Sequence, residues 1–233
     1  MTTIAVVRFP GSNCETETLA AIERAGGGAV LVDYRATSLA DAAAVILPGG
    51  FAYGDYLRSG AIARFAPVMD AVRRLAQEGG AVIGVCNGFQ VLCEAQLLPG
   101  ALQRNAQQRF AGRPVDVRIE RTDTVCTRDY AAGDVIRIPI AHGEGRYVAD
   151  DATLAMLERD HRVVMRYVGV TGADAAYNPN GSTNDIAGIC DPTGRIVGFM
   201  PHPERQADRA LGSDAGQRVF TSLVTSLVAS VAA

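Results

Sequence analysis

The sequence predicts an α/β protein with an open, doubly wound, mostly parallel sheet of the flavodoxin type. In the N-terminal half, short runs rich in valine, isoleucine and alanine alternate with longer segments whose apolar residues recur at helical spacing. The short runs show no polar alternation, which is typical of parallel strands covered by helices on both faces. In the C-terminal half, more strictly alternating runs predict antiparallel strands that extend the same sheet.

The first elements follow one another as strand, helix and strands. Residues 2–8 predict the first strand, and residues 14–27 predict a helix that the glycines at 26–28 terminate. Residues 29–34 and 43–50 predict two further strands. This order is the one expected for a wound parallel sheet.

The following elements lead to the most informative segment of the chain. Residues 65–80 predict a helix that ends in two glycines, residues 81–86 a strand, and residues 88–98 a second helix. In a doubly wound fold, ligands bind beyond the carboxyl ends of the parallel strands. The residues that directly follow the strands at 43–50 and 81–86 are therefore the first candidates for a functional site.

The C-terminal half is predicted to consist mainly of strands. Alternating runs without long helices between them cover residues 115–125, 134–148 and 162–170. Residues 185–204 predict two strands joined by an Asp-Pro-Thr-Gly turn, and residues 216–231 predict an amphipathic helix that packs on the core. Because no linker, low-complexity tract or repeat interrupts these elements, we expect one domain over residues 1–233.

The composition excludes several classes of function. The 22 basic and 25 acidic residues give a net charge of -3 without a basic block, so we expect no nucleic-acid partner. The N-terminus has no basic region ahead of its apolar run, and polar residues interrupt every later run, so we expect a cytoplasmic protein with no membrane contact. The five cysteines form no Cys-x-x-Cys pair, which predicts neither a disulfide framework nor a metal site.

Cys86 is the candidate nucleophile. It ends a predicted strand, and the pattern Gly84-Val-Cys86-Asn-Gly88 is typical of a sharp strand-to-helix turn that presents a nucleophile, with glycines where side chains would clash. The positive end of the following helix favours a thiolate. The alternative is a buried structural cysteine at a strand end. In contrast to Cys86, Cys93 lies inside the predicted helix, and we expect its thiol to be buried in the core.

The candidate base is His202. It follows an apolar strand and lies between two prolines, and Glu204 two residues on projects to the same side of an extended segment. A carboxylate in that position orients an imidazole and stabilises its charged form. The alternative is a rigid turn with a solvent-facing glutamate. His161 lies in a charged stretch and is a weak candidate.

The glycine-rich segment at 47–60 is the candidate oxyanion site. The backbone N–H groups of Gly49 and Gly50, together with that of Asn87, can point at a developing oxyanion beside Cys86. The segment lacks the Gly-Lys-Ser/Thr ending of a phosphate-binding loop. The alternative is a glycine-rich turn without a ligand.

Four segments in this order resemble the class I, triad-type glutamine amidotransferases: 48–55, 84–90, 142–146 and 201–204. The family pattern Gly-x-Cys-x-Gly-x-Gln followed by a late His-x-Glu is met without departure, and the resemblance covers essentially the whole chain. Three segments, 84–90, 140–147 and 178–182, resemble the branch that serves purine biosynthesis rather than the relatives that serve anthranilate, GMP, CTP or carbamoyl phosphate synthesis.

The resemblance implies that glutamine is the substrate and assigns roles to named residues. Cys86 is the implied nucleophile, His202 the base and then the acid, and Glu204 the residue that orients His202. The implied substrate-binding residues are Gly49, Gly50, Asn87, Gln90, Asn178, Asn180 and Ser182. Read from the residues alone, the segment 178–185 can equally be a plain turn, and His142 with Glu144 can form either an accessory polar loop or a hairpin turn.

The resemblance also implies partners. Because the chain shows no motif for binding ATP, we expect the ammonia to be used by a synthetase subunit that binds ATP, Mg²⁺ and a ribonucleotide, with a small third subunit in the same complex. No metal or cofactor is expected in this chain. Two other classes remain open from the residues: another cysteine enzyme, such as a peptidase or a glyoxalase-like protein, and a non-catalytic binding module.

Overall fold

The computed structural model describes residues 2–169 and 177–231, which fold around a mixed sheet. Its strands are β1 (Thr3–Arg8), β2 (Gly28–Asp33), β3 (Ala44–Leu47), β4 (Ala81–Val85), β5 (Ala101–Gln103), β6 (Ala111–Ile119), β7 (Val135–His142), β8 (Arg146–Val148), β9 (Val163–Val168), β10 (Ile186–Cys190) and β11 (Ile196–Phe199). Its helices are α1 (Glu15–Arg24), α2 (Val68–Gln77), α3 (Asn87–Glu94), α4 (Asp151–Arg159) and α5 (Gln217–Val231).

The nine-stranded sheet has the order β2-β1-β3-β4-β11-β10-β9-β6-β7. Strands β2, β1, β3, β4 and β11 pair in parallel, whereas β11 with β10, β10 with β9, β9 with β6 and β6 with β7 pair antiparallel. Strands β5 and β8 form a separate two-stranded sheet. The predicted fold class, a mostly parallel wound sheet with an antiparallel extension, is confirmed.

The C-terminal half differs from the prediction in three places. Helix α4 lies between β8 and β9, where the sequence analysis predicts only strands, because Leu157 is its one buried residue and so its apolar pattern is weak. The run predicted at 115–125 forms a strand that begins four residues earlier, at Ala111. The run at 134–148 is two strands, which belong to different sheets.

Helix α3 packs against the carboxyl ends of β3 and β4 through glycine contacts. An added Cβ on Gly88 would overlap the carbonyl oxygen of Leu47, and one on Gly84 would lie 2.6 Å from the carbonyl carbon of Gly88. Contacts this close leave no room for a side chain. The two flanking glycines of the predicted turn therefore set how closely the helix approaches the sheet.

Helix α5 contributes to the hydrophobic core. Its buried side chains Val219, Phe220, Leu223 and Leu227 join the core, and it packs against α1. In the part of the chain that the structure describes, no helix combines the length and the apolar character needed to cross a membrane. Two expectations stay predictions: a single domain over residues 1–233 and a cytoplasmic location.

We expect Gly88→Ala to lower the free energy of unfolding by about 3 kcal/mol or more, because the new methyl group overlaps backbone that cannot move freely. Urea denaturation followed by circular dichroism measures this change. Gly143→Ala is the matched control, since its added Cβ would meet only Cδ2 of Phe110, at 4.0 Å. Equal stability of the two variants would contradict the packing argument.

Candidate active site

Cys86 sits in a strained turn between β4 and α3. Its backbone has φ 50° and ψ −103°, which is unusual for a residue other than glycine and costs about 1–3 kcal/mol. Two hydrogen bonds hold the turn: the Cys86 N–H donates to the oxygen of Phe199 at 2.8 Å, and the Cys86 carbonyl accepts from the N–H of Gln90 at 3.1 Å. The thiol is thereby fixed at the N-terminus of α3 and is 4% exposed.

His202 lies just beyond the end of β11, at the same edge of the sheet. Its N–H donates to the carbonyl oxygen of Pro139 at 2.8 Å, and its Nδ1 lies 2.6 Å from Oε1 of Glu204. Both side chains are almost completely buried. A Cβ on Gly49 would lie 2.6 Å from Cε1 of His202, so only glycine admits the imidazole here.

The electrostatics of this group favour an ion pair. Burial alone lowers the pKa of His202, but the charges of Glu204 and of the Cys86 sulfur outweigh it and raise that pKa well above 6.5. Nε2 of His202 is buried and has no hydrogen-bond partner among the described residues. The imidazole is therefore oriented through Nδ1 by Glu204 and has Nε2 free for proton transfer, as in a cysteine-histidine-acid triad.

A second thiol, Cys14, lies on the Nδ1 side of His202. Its sulfur is 3.9 Å from Nδ1 of His202, accepts from the Arg205 guanidinium at 3.2 Å and donates to Oδ1 of Asn13 at 3.1 Å. Within the described residues, Cys14, His202 and Glu204 form a close group of possible metal ligands. However, Nδ1 already bonds a carboxylate and a guanidinium lies against the sulfur, which disfavours a cation. Sequence analysis missed Cys14, although it follows β1 at the same sheet edge.

A cavity of about 230 Å³ opens beside Cys86. Its lining includes Gly50, Asp55, Ser59, Cys86, Gln90, Arg104, Arg109, Phe110, His142 and Glu144. A second cavity, of about 550 Å³, reaches His202 and Arg205, and the two share Gly50, Phe51, Phe110 and Ala141 as a wall. The structure thus brings the predicted nucleophile, base, Gly50 and Gln90 around neighbouring spaces.

The predicted oxyanion groups lie beside the thiol. Gly50 has φ +151°, and an added Cβ would lie 2.7 Å from Cα of Ser12, so this backbone position requires glycine. Asn87 begins α3, where the first N–H groups have no acceptor within the helix. Its side-chain Oδ1 accepts from the N–H of Ala52 at 3.1 Å, which ties the glycine-rich loop to the helix.

Gln90 is held by hydrogen bonds at both ends of its amide. Its Oε1 accepts from Nδ2 of Asn87 at 2.9 Å, and its Nε2 donates to the carbonyl oxygen of Glu144 at 2.6 Å. The side chain faces the first cavity. Contact between Gln90 and a substrate stays a prediction.

The predicted substrate residues at 178–182 lie elsewhere. Asn180 is fully buried, and its Nδ2 donates to the carbonyl oxygen of Gly145 at 2.8 Å while its Oδ1 accepts from Oγ of Ser182 at 2.8 Å. Nδ2 of Asn178 donates to Oδ1 of Asp185 at 2.8 Å. None of the three lines either cavity beside Cys86 and His202. The segment supports the turn at Gly145, and its direct contact with substrate stays a prediction.

Of the two alternatives for His142 and Glu144, the structure supports the accessory polar loop. His142 is buried, its Nδ1 lies 3.2 Å from Oδ1 of Asn105, and burial lowers its pKa to about 4, so the ring is neutral at pH 7. Oε2 of Glu144 accepts from the N–H and Oγ of Ser59, at 3.1 and 2.8 Å. Both side chains line the first cavity.

His161 and Cys93, which the sequence does not favour as functional residues, lie where they are predicted to lie. His161 is exposed in the turn that follows α4. Cys93 is buried within α3, and burial raises the pKa of its thiol far above the ordinary value, which makes it unreactive.

Asp55 is a site residue that sequence analysis missed. It lines the first cavity, where burial and the nearby charge of Glu144 raise its pKa to about 6, although hydrogen bonds from Ser59 and Asn87 act in the opposite direction. A raised carboxyl pKa depends on three-dimensional neighbours. The one signal in the sequence was the position of Asp55 within the glycine-rich segment that follows β3.

Comparisons with known proteins agree with this geometry. Residues 1–220 match the CobB/CobQ-like glutamine amidotransferase domain family. The chain is 54% identical to phosphoribosylformylglycinamidine synthase subunit PurQ from Rubrobacter xylanophilus over 95% of this chain and 97% of that protein. The corresponding subunit from Thermus thermophilus is 54% identical over 94% of this chain and 96% of that protein. A chain of PurLQS from Thermotoga maritima superimposes with a TM-score of 0.86, at 40% identity over 97% of this chain and 99% of that one.

We expect Asp55→Asn to stabilise the fold at pH 8 by about 1 kcal/mol after allowance for solvent screening. This corresponds to a rise in Tm of about 2–4 °C. Because the folded-state pKa is raised from 3.8 to about 6, the gain should grow as pH rises through that interval and level off above it. Differential scanning calorimetry from pH 4 to 8 measures the effect.

Asp70→Asn is the matched control for this measurement. Asp70 lies on α2 with its side chain 77% exposed, so its substitution should leave the Tm almost unchanged. A lower Tm for Asp55→Asn at pH 8 would contradict the view that the ionised carboxylate of Asp55 destabilises the folded state.

Proposed function

The chain belongs to the CobB/CobQ-like glutamine amidotransferase family, and we propose on that premise that it hydrolyses glutamine to glutamate and ammonia. The observation that carries the proposal is the placement of a strained, helix-capping thiol beside a buried imidazole that a carboxylate orients. Cys86 is the nucleophile, His202 the general base and acid, and Glu204 the residue that orients His202.

The first step is attack of the Cys86 thiolate on the side-chain amide carbon of glutamine. The carbonyl oxygen takes up the negative charge, and the backbone N–H groups of Gly50 and Asn87 stabilise it. The positive end of α3 acts in the same direction, since Cys86 directly precedes the first turn. Gly49 supports this arrangement by leaving space for the imidazole.

His202 then moves the proton. Protonated at Nε2, it donates to the amide nitrogen as the carbon–nitrogen bond breaks, which releases ammonia and leaves a glutamyl thioester on Cys86. The neutral imidazole next accepts a proton from water as the water attacks the thioester. Glutamate leaves, and the thiolate and imidazolium are restored. Glu204 stays ionised and stabilises the positive charge that His202 carries between these steps.

The ammonia serves a second subunit in this proposal. The PurQ relatives are subunits of phosphoribosylformylglycinamidine synthase, and the solved Thermotoga maritima relative is PurLQS. By analogy, this chain supplies ammonia to a synthetase subunit that uses ATP and Mg²⁺ to convert formylglycinamide ribonucleotide to formylglycinamidine ribonucleotide. A small third subunit completes the complex. The chain itself uses no metal or cofactor for its part of the reaction.

We expect a diazoketone analogue of glutamine to label Cys86 stoichiometrically, because the thiolate attacks the electrophilic carbon that replaces the amide. Intact mass and peptide mapping, with the synthetase subunit present and absent, identify the site, and excess glutamine should block it. Cys86→Ser should remain unlabelled, whereas Cys93→Ser, which alters a core thiol, should label as the wild type does. Labelling at Cys14 with Cys86 unmodified would contradict the assignment.

We expect Glu204→Gln to lower kcat for glutamine hydrolysis by about 10²- to 10⁴-fold, since the neutral amide neither fixes the imidazole tautomer nor stabilises the imidazolium. KM should change much less, because Glu204 contacts Nδ1 of the imidazole and lines neither cavity. Steady-state glutamate release in the assembled complex measures both constants. Glu23→Gln, on the exposed side of α1, is the control and should match the wild type. An unchanged kcat for Glu204→Gln would contradict the triad.

A further inference from the structure

We propose that Asp55 and Glu144 bind the α-ammonium group of glutamine and so restrict the site to an amino acid whose amino group is free. This inference rests on the proposed glutaminase function and deepens it, because it assigns the recognition of the part of the substrate that does not react.

The two carboxylates share a cavity with the candidate nucleophile. Asp55 and Glu144 line the cavity that also contains Cys86, and at about 230 Å³ this cavity is smaller than the pockets of drug-sized ligands, which start near ~300 Å³. That size suits a single amino acid. Cys86 and Gln90 line the same cavity, and His202 lines the cavity that adjoins it.

Little positive charge lies close to the two carboxylates. Two carboxylates face each other across Ser59, and Asp55 makes no ion pair within residues 2–169 and 177–231. Burial raises the pKa of Asp55 to about 6, and the charge of Glu144 adds a smaller contribution in the same direction. The closest cation to Glu144 is Arg104, 3.7 Å away, with its side chain 74% exposed. An ammonium group between the two carboxylates supplies the missing charge.

Hydrogen bonds hold both carboxylates in place. Ser59 donates to Glu144 through both its N–H and its hydroxyl group, and Asp55 accepts from Nδ2 of Asn87 at 3.3 Å. Asn87 follows the nucleophile directly. The carboxylates are therefore held at a fixed distance from the sulfur. When they bind the α-ammonium group, only an amino acid with a side chain of the matching length places its amide at Cys86.

The cavity is lined by side chains of both signs of charge. Arg104 and Arg109 also contribute to its lining, and both are exposed at its mouth. A free amino acid carries an ammonium and a carboxylate on the same carbon atom, so it matches a site with acidic and basic groups side by side. A neutral or singly charged amide would leave one of these groups without a partner.

The test compares glutamine with N-acetylglutamine, which keeps the reacting amide and lacks the positive charge. Both are assayed for glutamate or N-acetylglutamate release by the chain assembled with its synthetase subunit. For Asp55→Asn, we expect KM for glutamine to rise at least tenfold, kcat to stay within threefold, and the preference for glutamine over N-acetylglutamine to fall at least tenfold. Glu144→Gln should change both measures in the same direction.

The matched control is again Asp70→Asn, which removes an exposed carboxylate that lines neither cavity and should keep wild-type constants and preference. Because Asp55→Asn should raise rather than lower the Tm, a raised KM in that variant does not arise from unfolding. An unchanged KM and an unchanged preference would overturn the inference, as would a fall in kcat alone. In those cases wild-type glutaminase activity would still support the proposed function, whereas a wild-type complex that releases no glutamate would overturn both.

Discussion

The close approach of α3 to the sheet is the constraint on which the rest of the site depends. It exists because Gly88 meets the carbonyl oxygen of Leu47 and Gly84 meets Gly88, with no side chain between them. This contact forces Cys86, which connects β4 to α3, into a backbone conformation that L-residues rarely adopt. The sulfur, the helix N-terminus and the glycine-rich loop then meet at one point, and the imidazole is brought to them by β11, the parallel neighbour of β4.

Sequence patterns predict the parallel part of the fold well because its central strands are buried on both faces and bounded by glycines. They predict the antiparallel part less well. Helix α4 is missed because only Leu157 among its residues is buried, so capping by Asp150 rather than an apolar stripe marks its start. The start of β6 is misplaced since its first residues, from Ala111, are largely exposed and mimic a loop.

The candidate triad could be predicted because its spacing is local: a thiol between two glycines, and a histidine two residues before a glutamate. Cys14, Asp55 and the buried environment of His142 could not, since each owes its character to residues distant in the chain. The segment at 178–182 has a structural role that the sequence did not indicate. Hydrogen bonds from Asn180 and Ser182 hold the neighbouring turn at Gly145, and contact of this segment with a ligand stays a prediction.

The position of His202 beyond β11 has a consequence for the order in which the protein acquires its chemistry. The strand that precedes Cys86 belongs to the first half of the chain, whereas the imidazole is placed by a strand near the C-terminus and by the carbonyl oxygen of Pro139 in β7. During synthesis on the ribosome the Cys86 thiol therefore emerges long before the His202 imidazole. Because β11 lies between β4 and β10 in the sheet, a chain that ends before β11 lacks both the imidazole and a central strand of the fold.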